Sequence, residues 1–105
     1  MRDYDVIVVG AGAAGAFMAY EFKKENTDKK VLVIDGGRTV DKRSCPITEG
    51  KVDHCIHCNP CNIMYGFGGA GTLSDGKYNI TTSFGGDLHQ YIGEAKAMEL
   101  MEYVD

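Results

Sequence analysis

Tyr4-Asp5-Val6-Ile7-Val8-Val9-Gly10-Ala11-Gly12-Ala13-Ala14-Gly15 is the stretch on which the fold turns. Its first half is a near-continuous β-branched run, the composition of a strand covered on both faces in a parallel sheet. Its second half, Gly10 to Gly15, is a G-x-G-x-x-G turn. Ala13 to Glu25 then reads as a helix carrying Phe17, Met18, Tyr20 and Phe22. Lys23 and Lys24 sit near its carboxyl end, where the helix dipole favours cations. Asn26-Thr27-Asp28 breaks the helix, and Val31 to Ile34 reads as a second buried strand ending at Asp35. Strand, helix and strand within about 30 residues make a βαβ unit. The expected fold class is therefore α/β, built on a Rossmann-like βαβ unit.

The glycine string alone is a weak signal; its context turns it into a mechanism. It follows a buried strand, opens a helix, and has an acid, Asp35, 20 residues beyond Gly15 at the end of the next strand. Gly10 permits the tight turn out of the strand, Gly12 has no Cβ to hold the backbone away from a pyrophosphate, and Gly15 lets helix and strand pack closely. The first helical turn, at Ala13 and Ala14, offers unpaired N–H groups and a positive dipole end to phosphates. Asp35 can accept hydrogen bonds from ribose hydroxyls, and its charge repels a 2′-phosphate. Gly36 and Gly37 let the chain leave the strand without blocking an adenosine, and Arg38 lies within reach of an adenine or ribose edge.

From Gly36 to Gly76 the chain carries no convincing period, and this stretch of 41 residues holds both prolines, all four cysteines and eight of the 14 glycines. So long an irregular segment is usually functional or disordered, and its cysteines and glycines favour function. Within it, Gly66-Phe67-Gly68-Gly69-Ala70-Gly71-Thr72-Leu73-Ser74-Asp75-Gly76-Lys77 has the makings of an anion-binding nest. Successive glycines at 68, 69 and 71 expose backbone N–H groups, Thr72 and Ser74 add hydroxyl donors, and Lys77 adds a positive charge. Lys77 to Thr82 alternates weakly and reads as a short strand. A last helix is expected over residues 87–105, opened by Asp87 with Gln90 as a variant capping box. Leu88, Tyr91, Ile92, Ala95 and Met98 fall on one of its faces. It reaches Asp105 with no glycine or proline stop, so the chain reads as a domain cut short.

The cysteines are spaced Cys45-x9-Cys55-x2-Cys58-x2-Cys61, with His54 and His57 interleaved. C-x2-C-x2-C resembles the consecutive run of a bacterial ferredoxin, with Cys45-Pro46 as a fourth ligand from upstream; in ferredoxins the Cys-Pro follows the triple instead. Four thiolates equally satisfy a closed zinc site. A redox dithiol of Cys55 and Cys58, or four ordinary thiols, are the other readings. The histidines read as surface or supporting residues, because four cysteines already fill a site.

Gly-Ala-Gly-Ala-Ala-Gly at residues 10–15 resembles the opening of the two-dinucleotide-fold flavoproteins. More narrowly, Cys-Pro, then Cys-x-x-Cys-x-Pro-Cys, then Gly-Phe-Gly-Gly-Ala-Gly-Thr-x-Ser-Asp-Gly-Lys resembles a family of bacterial and archaeal FAD-dependent dehydrogenases, over essentially the whole chain. The resemblance implies FAD as cofactor, with residues 66–77 lining the pyrophosphate and approaching the isoalloxazine ring. It implies a partial FAD-binding domain over 1–105, made of a dinucleotide unit at 1–35, a Cys-rich insertion at 36–65, the flavin loop at 66–77 and the helix at 87–105. The chemistry implied is flavin-dependent oxidation of an unknown small molecule, with catalytic residues and a missing carboxyl-terminal part of the enzyme beyond Asp105. The competing class is a non-catalytic, truncated or split module for FAD or NAD.

One hundred and five residues make one domain at most. The net charge of −4, from 11 basic and 15 acidic residues, supplies no basic stripe for nucleic acid. Lys23-Lys24, Lys29-Lys30 and Lys42-Arg43 read as solvated surface pairs. The apolar run from Val6 to Ala19 is too short to span a bilayer, and its acid-containing leader is unlike a signal peptide. The expectation is a cytoplasmic protein without a membrane segment.

Overall fold

The computed structural model describes residues 3–105. The chain divides into two compact units, Met1–Ser74 and Asp75–Asp105. The first opens with β1 (Val6–Val9), α1 (Ala13–Glu25) and β2 (Val31–Ile34). The strands pair in parallel, Val6 opposite Val31 through Val9 opposite Ile34. This is the βαβ start of a Rossmann-like unit. β1 begins at Val6 rather than Tyr4. Its lower edge is closed instead by Asp5, whose Oδ2 accepts the Lys30 N–H at 2.9 Å while its own N–H donates to the Lys30 carbonyl at 2.9 Å.

The expectation of strands covered on both faces is corrected. Side chains alternate along a strand, and a single crossover helix covers one face only. Val8 is buried, whereas its neighbours Ile7 and Val9 are 58% and 82% exposed and Ile34 is 42% exposed. The face that carries Ile7 and Val9 is open among the described residues.

The end of α1 is closed by backbone and side-chain donors. Asn26 gives both its N–H and its Nδ2 to the Phe22 carbonyl at 2.9 Å. Lys23, read as solvated, reaches the carbonyls of Thr27 and of Lys29, the latter at 2.8 Å. It satisfies carbonyls in the turn that returns the chain to β2.

Beyond β2 the first unit contains only two short 3-10 turns, at Val40–Lys42 and Ala70–Leu73. Its order comes from tertiary links. Arg38 and Gly66 form a parallel bridge, and the Phe67 N–H donates to the Arg38 carbonyl at 3.1 Å. Arg43 is 6% exposed. Its Nε, Nη1 and Nη2 donate to the carbonyls of Asn62, Phe67 and Ile63 at 2.8, 2.7 and 2.6 Å. The reading of Lys42-Arg43 as a surface pair is therefore corrected for Arg43. A guanidinium presents donors from three separate nitrogens in one rigid plane, whereas all of a lysine's donors sit on a single nitrogen.

In the second unit the expected strand at Lys77–Thr82 is absent: these residues are irregular. A strand needs a neighbour to satisfy its ladder, and the described residues supply none there. The expected single helix is two, α2 (Leu88–Ile92) and α3 (Glu94–Val104). Gly93 separates them at φ 83, ψ 152, a conformation that L side chains avoid. The Asp87 side chain does not cap the backbone of α2; its Oδ1 accepts the Gln90 side-chain amide at 3.1 Å instead. Ala97 of α3 is fully buried, and Thr82 donates to Glu94 Oε1 at 3.2 Å. Among the described residues no helix is long and apolar enough to cross a membrane.

Candidate functional site

The site assembles at the carboxyl ends of β1 and β2, where open α/β sheets hold ligands. Gly10 leaves β1 at φ 98 and donates its N–H to the Ile34 carbonyl at 2.7 Å. Ala11 follows, 4% exposed, and its peptide is gripped from two sides. Its N–H donates to Asp35 Oδ2 at 2.8 Å, and its carbonyl accepts the Gly68 N–H at 2.8 Å. Residues far apart in sequence thereby hold the first glycine loop in place.

The three glycines of the first loop differ in what requires them. A Cβ on Gly15 would overlap the Gly10 carbonyl oxygen and crowd Val8 Cγ1 at 3.3 Å, so close helix–strand packing requires glycine there. Gly12 is the N-cap of α1 in an ordinary extended conformation, φ −73 and ψ −173. A Cβ on Gly12 would meet nothing within 4 Å. Neither backbone nor packing demands a glycine at that position. Beside it, Ala13 and Ala14 begin the helix, whose first N–H groups have no intrahelical acceptor.

The second glycine loop lies against the first. Gly68 and Gly69 take φ 83 and 64, and a Cβ on Gly69 would come to 3.3 Å from Gly12 Cα. Beyond them Gly71 and Thr72 fall in the 3-10 turn Ala70–Leu73. The Ser74 N–H closes that turn on the Gly71 carbonyl at 3.2 Å, and the Thr72 hydroxyl occupies the space a side chain at Gly68 would need. Lys77 lies in the second unit, where its ammonium pairs with Asp75 Oδ2 at 2.9 Å. That ion pair holds the Asp75 carboxyl below its ordinary range, with the Lys77 N–H assisting.

Asp35 braces the site. Besides the Ala11 N–H on Oδ2, it accepts the Gly37 N–H on Oδ1 at 2.8 Å. These two donors, the Ala11 N–H first, lower its pKa from the ordinary 3.8; partial burial opposes them and the charge of Arg43 assists. A lowered carboxyl stabilises the fold above the ordinary value, and that contribution is lost as pH falls through the lower folded value. In an NMR titration the Ala11 and Gly37 amide resonances are therefore expected to move together with a midpoint below 3.8. A midpoint at or above that value would remove the bracing role.

Tyr65 was not foreseen. With Val9, Gly10, Ile34, Asp35 and Gly36 it lines a cavity of about 360 Å³. Its hydroxyl stands where a side chain at Gly36 would be, and Gly37 lies equally close to the Gly66 backbone. No local signal marks Tyr65 or Arg43, because both act through contacts made far along the chain. Arg38 contributes its backbone bridge to Gly66, and its side chain is exposed.

The cysteines lie in the preceding segment. Cys45 is half-buried, Cys55, Cys58 and Cys61 are exposed, and none is in a disulfide. All four line one cavity of about 210 Å³. Among the described residues, no three His, Cys, Asp or Glu side chains are gathered closely enough to hold a metal ion.

A family model described as NAD(P)-binding Rossmann-like domain matches residues 8–63. That span contains the turn, α1, β2, Asp35 and all four cysteines. An uncharacterized protein of Clostridium beijerinckii is 37% identical over 71 residues, which is 68% of this chain and 13% of that protein. The chain thus corresponds to a small part of that relative's length. No solved structure matches the chain. With the fingerprint turn, the end of β1, all of α1 and β2 and the acid after β2 within the matched span, the chain belongs to the NAD(P)-binding Rossmann-like domain family.

Proposed function

We propose that this chain is the dinucleotide-binding module of a flavin-dependent oxidoreductase and that its ligand is FAD. The observation that carries the reading is the contact between the two glycine loops, Gly68 N–H to the Ala11 carbonyl and Gly69 over Gly12. A single loop with a helix amino terminus suffices for a pyrophosphate. A second glycine-rich segment brought onto it adds backbone donors farther along the ligand. In this reading the Gly10–Gly15 loop and the first N–H groups of α1 hold the pyrophosphate. Asp35 takes the ribose hydroxyls on the lone pairs not used by Ala11 and Gly37, and Tyr65 with Ile34 walls the adenosine. The loop through Gly71, Thr72 and Ser74 extends toward the flavin end. FAD when bound supplies the redox chemistry; the residues of this chain bind, orient and shield it. Substrate and electron acceptor belong to the whole protein, of which this chain is proposed to be one part.

A second reading is favoured by the family description itself, NAD(P). The negative charge of Asp35 at the ribose position selects against a 2′-phosphate, so within this reading NAD is preferred to NADP. The deciding experiment is purification without added cofactor, then absorbance and mass analysis of the released ligand, then titration with FAD, NAD and NADP. Released or tightly bound FAD, with NAD weaker by tenfold or more, is the expected result. NAD binding without FAD binding would overturn the flavin assignment and leave the module.

A further inference from the structure

We propose that Cys45, Cys55, Cys58 and Cys61 together bind a polynuclear iron–sulfur cluster, each thiolate meeting a different iron. The proposal stands on the cysteine segment and is independent of which dinucleotide the neighbouring loops hold.

Two observations that look opposed agree under this assignment. All four cysteines line one cavity of about 210 Å³, yet among the described residues no three ligating side chains are gathered closely enough to hold a metal ion. A single zinc ion requires four sulfurs within about 2.3 Å of one centre, which leaves no cavity between them. A four-iron cluster accepts one thiolate at each metal atom, so its ligands surround a volume instead of a point. The spacing agrees: Cys55-x2-Cys58-x2-Cys61 delivers three thiolates from one loop, and Cys45, from upstream, supplies the fourth to the same cavity.

The walls suit such an occupant. Pro46, Ile47, Val52, Ile56 and Ile63 line the same cavity, with Ile47 and Ile56 still 42% and 54% exposed, and an apolar surround is one of the means that set a cluster's potential. The backbone already donates to sulfur. His57 takes φ 53, which turns its N–H to Cys55 Sγ at 3.4 Å; hydrogen bonds to the sulfurs are a principal means of tuning a cluster. Cys45 heads a closed turn, with the Glu49 N–H on the Cys45 carbonyl at 3.0 Å and the Lys51 N–H on the Pro46 carbonyl at 2.9 Å. The segment has few buried apolar side chains of its own, and ligation supplies ordering free energy that burial does not. That order would pass to the neighbouring site, because the Cys61 carbonyl accepts the Tyr65 N–H at 2.9 Å.

The full chain is purified anaerobically and assayed for iron, zinc, acid-labile sulfide and an electron paramagnetic resonance signal after dithionite reduction. Labile sulfide does not come from a flavin, and a reduced cluster gives an anisotropic signal at cryogenic temperature that differs from the isotropic radical of a flavin semiquinone, so the outcome is separable from that of the cofactor assignment. Iron and sulfide in equal amounts, about four of each for a tetrathiolate cube, are expected. Chain isolated without metal is reconstituted with ferrous iron and sulfide, its folding checked by circular dichroism. In Cys55→Ser, Cys58→Ser and Cys61→Ser the iron content is expected to fall at least threefold. Stoichiometric zinc without labile sulfide, failure of folded chain to take up iron and sulfide, or unchanged iron in all three variants would each overturn the proposal.

Discussion

Gly12→Val is expected to abolish dinucleotide retention while leaving the βαβ unit folded. The separation follows from the surroundings of the residue. A Cβ at position 12 meets no protein atom within 4 Å, and φ −73 is open to any residue, so the fold loses little. In the proposed complex the pyrophosphate lies against this backbone, and a branched side chain holds it away from the N–H groups of α1. Losing even one charge-assisted hydrogen bond weakens binding roughly ten- to a hundredfold, and displacement affects more than one. Gly15→Val is the contrasting variant. Its Cβ would fall on the Gly10 carbonyl oxygen, a backbone atom that cannot move aside, and overpacking of this kind costs roughly 1–3 kcal/mol or more. The measurement is thermal unfolding alongside ligand titration for both variants. Gly12→Val that binds as tightly as the unmutated chain would remove the pyrophosphate assignment. Equal unfolding in both variants would show that Gly12 is there for packing.

Arg43→Met is expected to produce the largest structural loss. The guanidinium is buried and joins the chain after β2 to three carbonyls at Asn62, Ile63 and Phe67. Methionine keeps much of the apolar stem but leaves three carbonyls without their donor. Each unsatisfied buried acceptor costs about 1–3 kcal/mol where water cannot replace the donor, so a total of about 3 kcal/mol or more is expected. The second glycine loop, which begins at Gly66 beside these carbonyls, loses its seat on Ala11. Hydrogen exchange resolved by residue reads this directly: Phe67 and Gly68 amides should lose protection before those of β1 and β2. Protection unchanged at Gly68 would show that the loop is held by its own turns. Arg43→Lys should recover only part of the loss, because one ammonium cannot span the carbonyls that a planar guanidinium meets together.

How much of this was legible beforehand depends on how far along the chain each cause acts. β1, α1 and β2 were readable because each is written in neighbouring residues, as a β-branched run, a helix between a glycine turn and Asn26, and a second run ending in an acid. The chemistry proposed for Gly10, Gly12, Gly15 and Asp35 follows from those local signals too, since a turn, an N-cap and a strand end are local events. Residues 77–82 went wrong because alternation declares only what a strand would bury, and a strand exists only where another edge pairs with it. The last helix went wrong at Gly93, where periodicity on both sides outweighed a single glycine in the reading but not in the backbone.

The sequence by itself determined the βαβ unit, the positions of both glycine loops and the cysteine spacing. Only the tertiary structure decided that the second loop lies on Ala11 and Gly12, and that Asp35 grips the Ala11 N–H across the strand pair. It also decided that Arg43 is a buried clamp rather than a surface charge, and that four cysteines face one cavity. Most of these contacts join residues roughly ten to sixty positions apart in sequence. Composition and period carry no information about them, because they arise from where the chain returns in space and which carbonyls and N–H groups are left to be satisfied there.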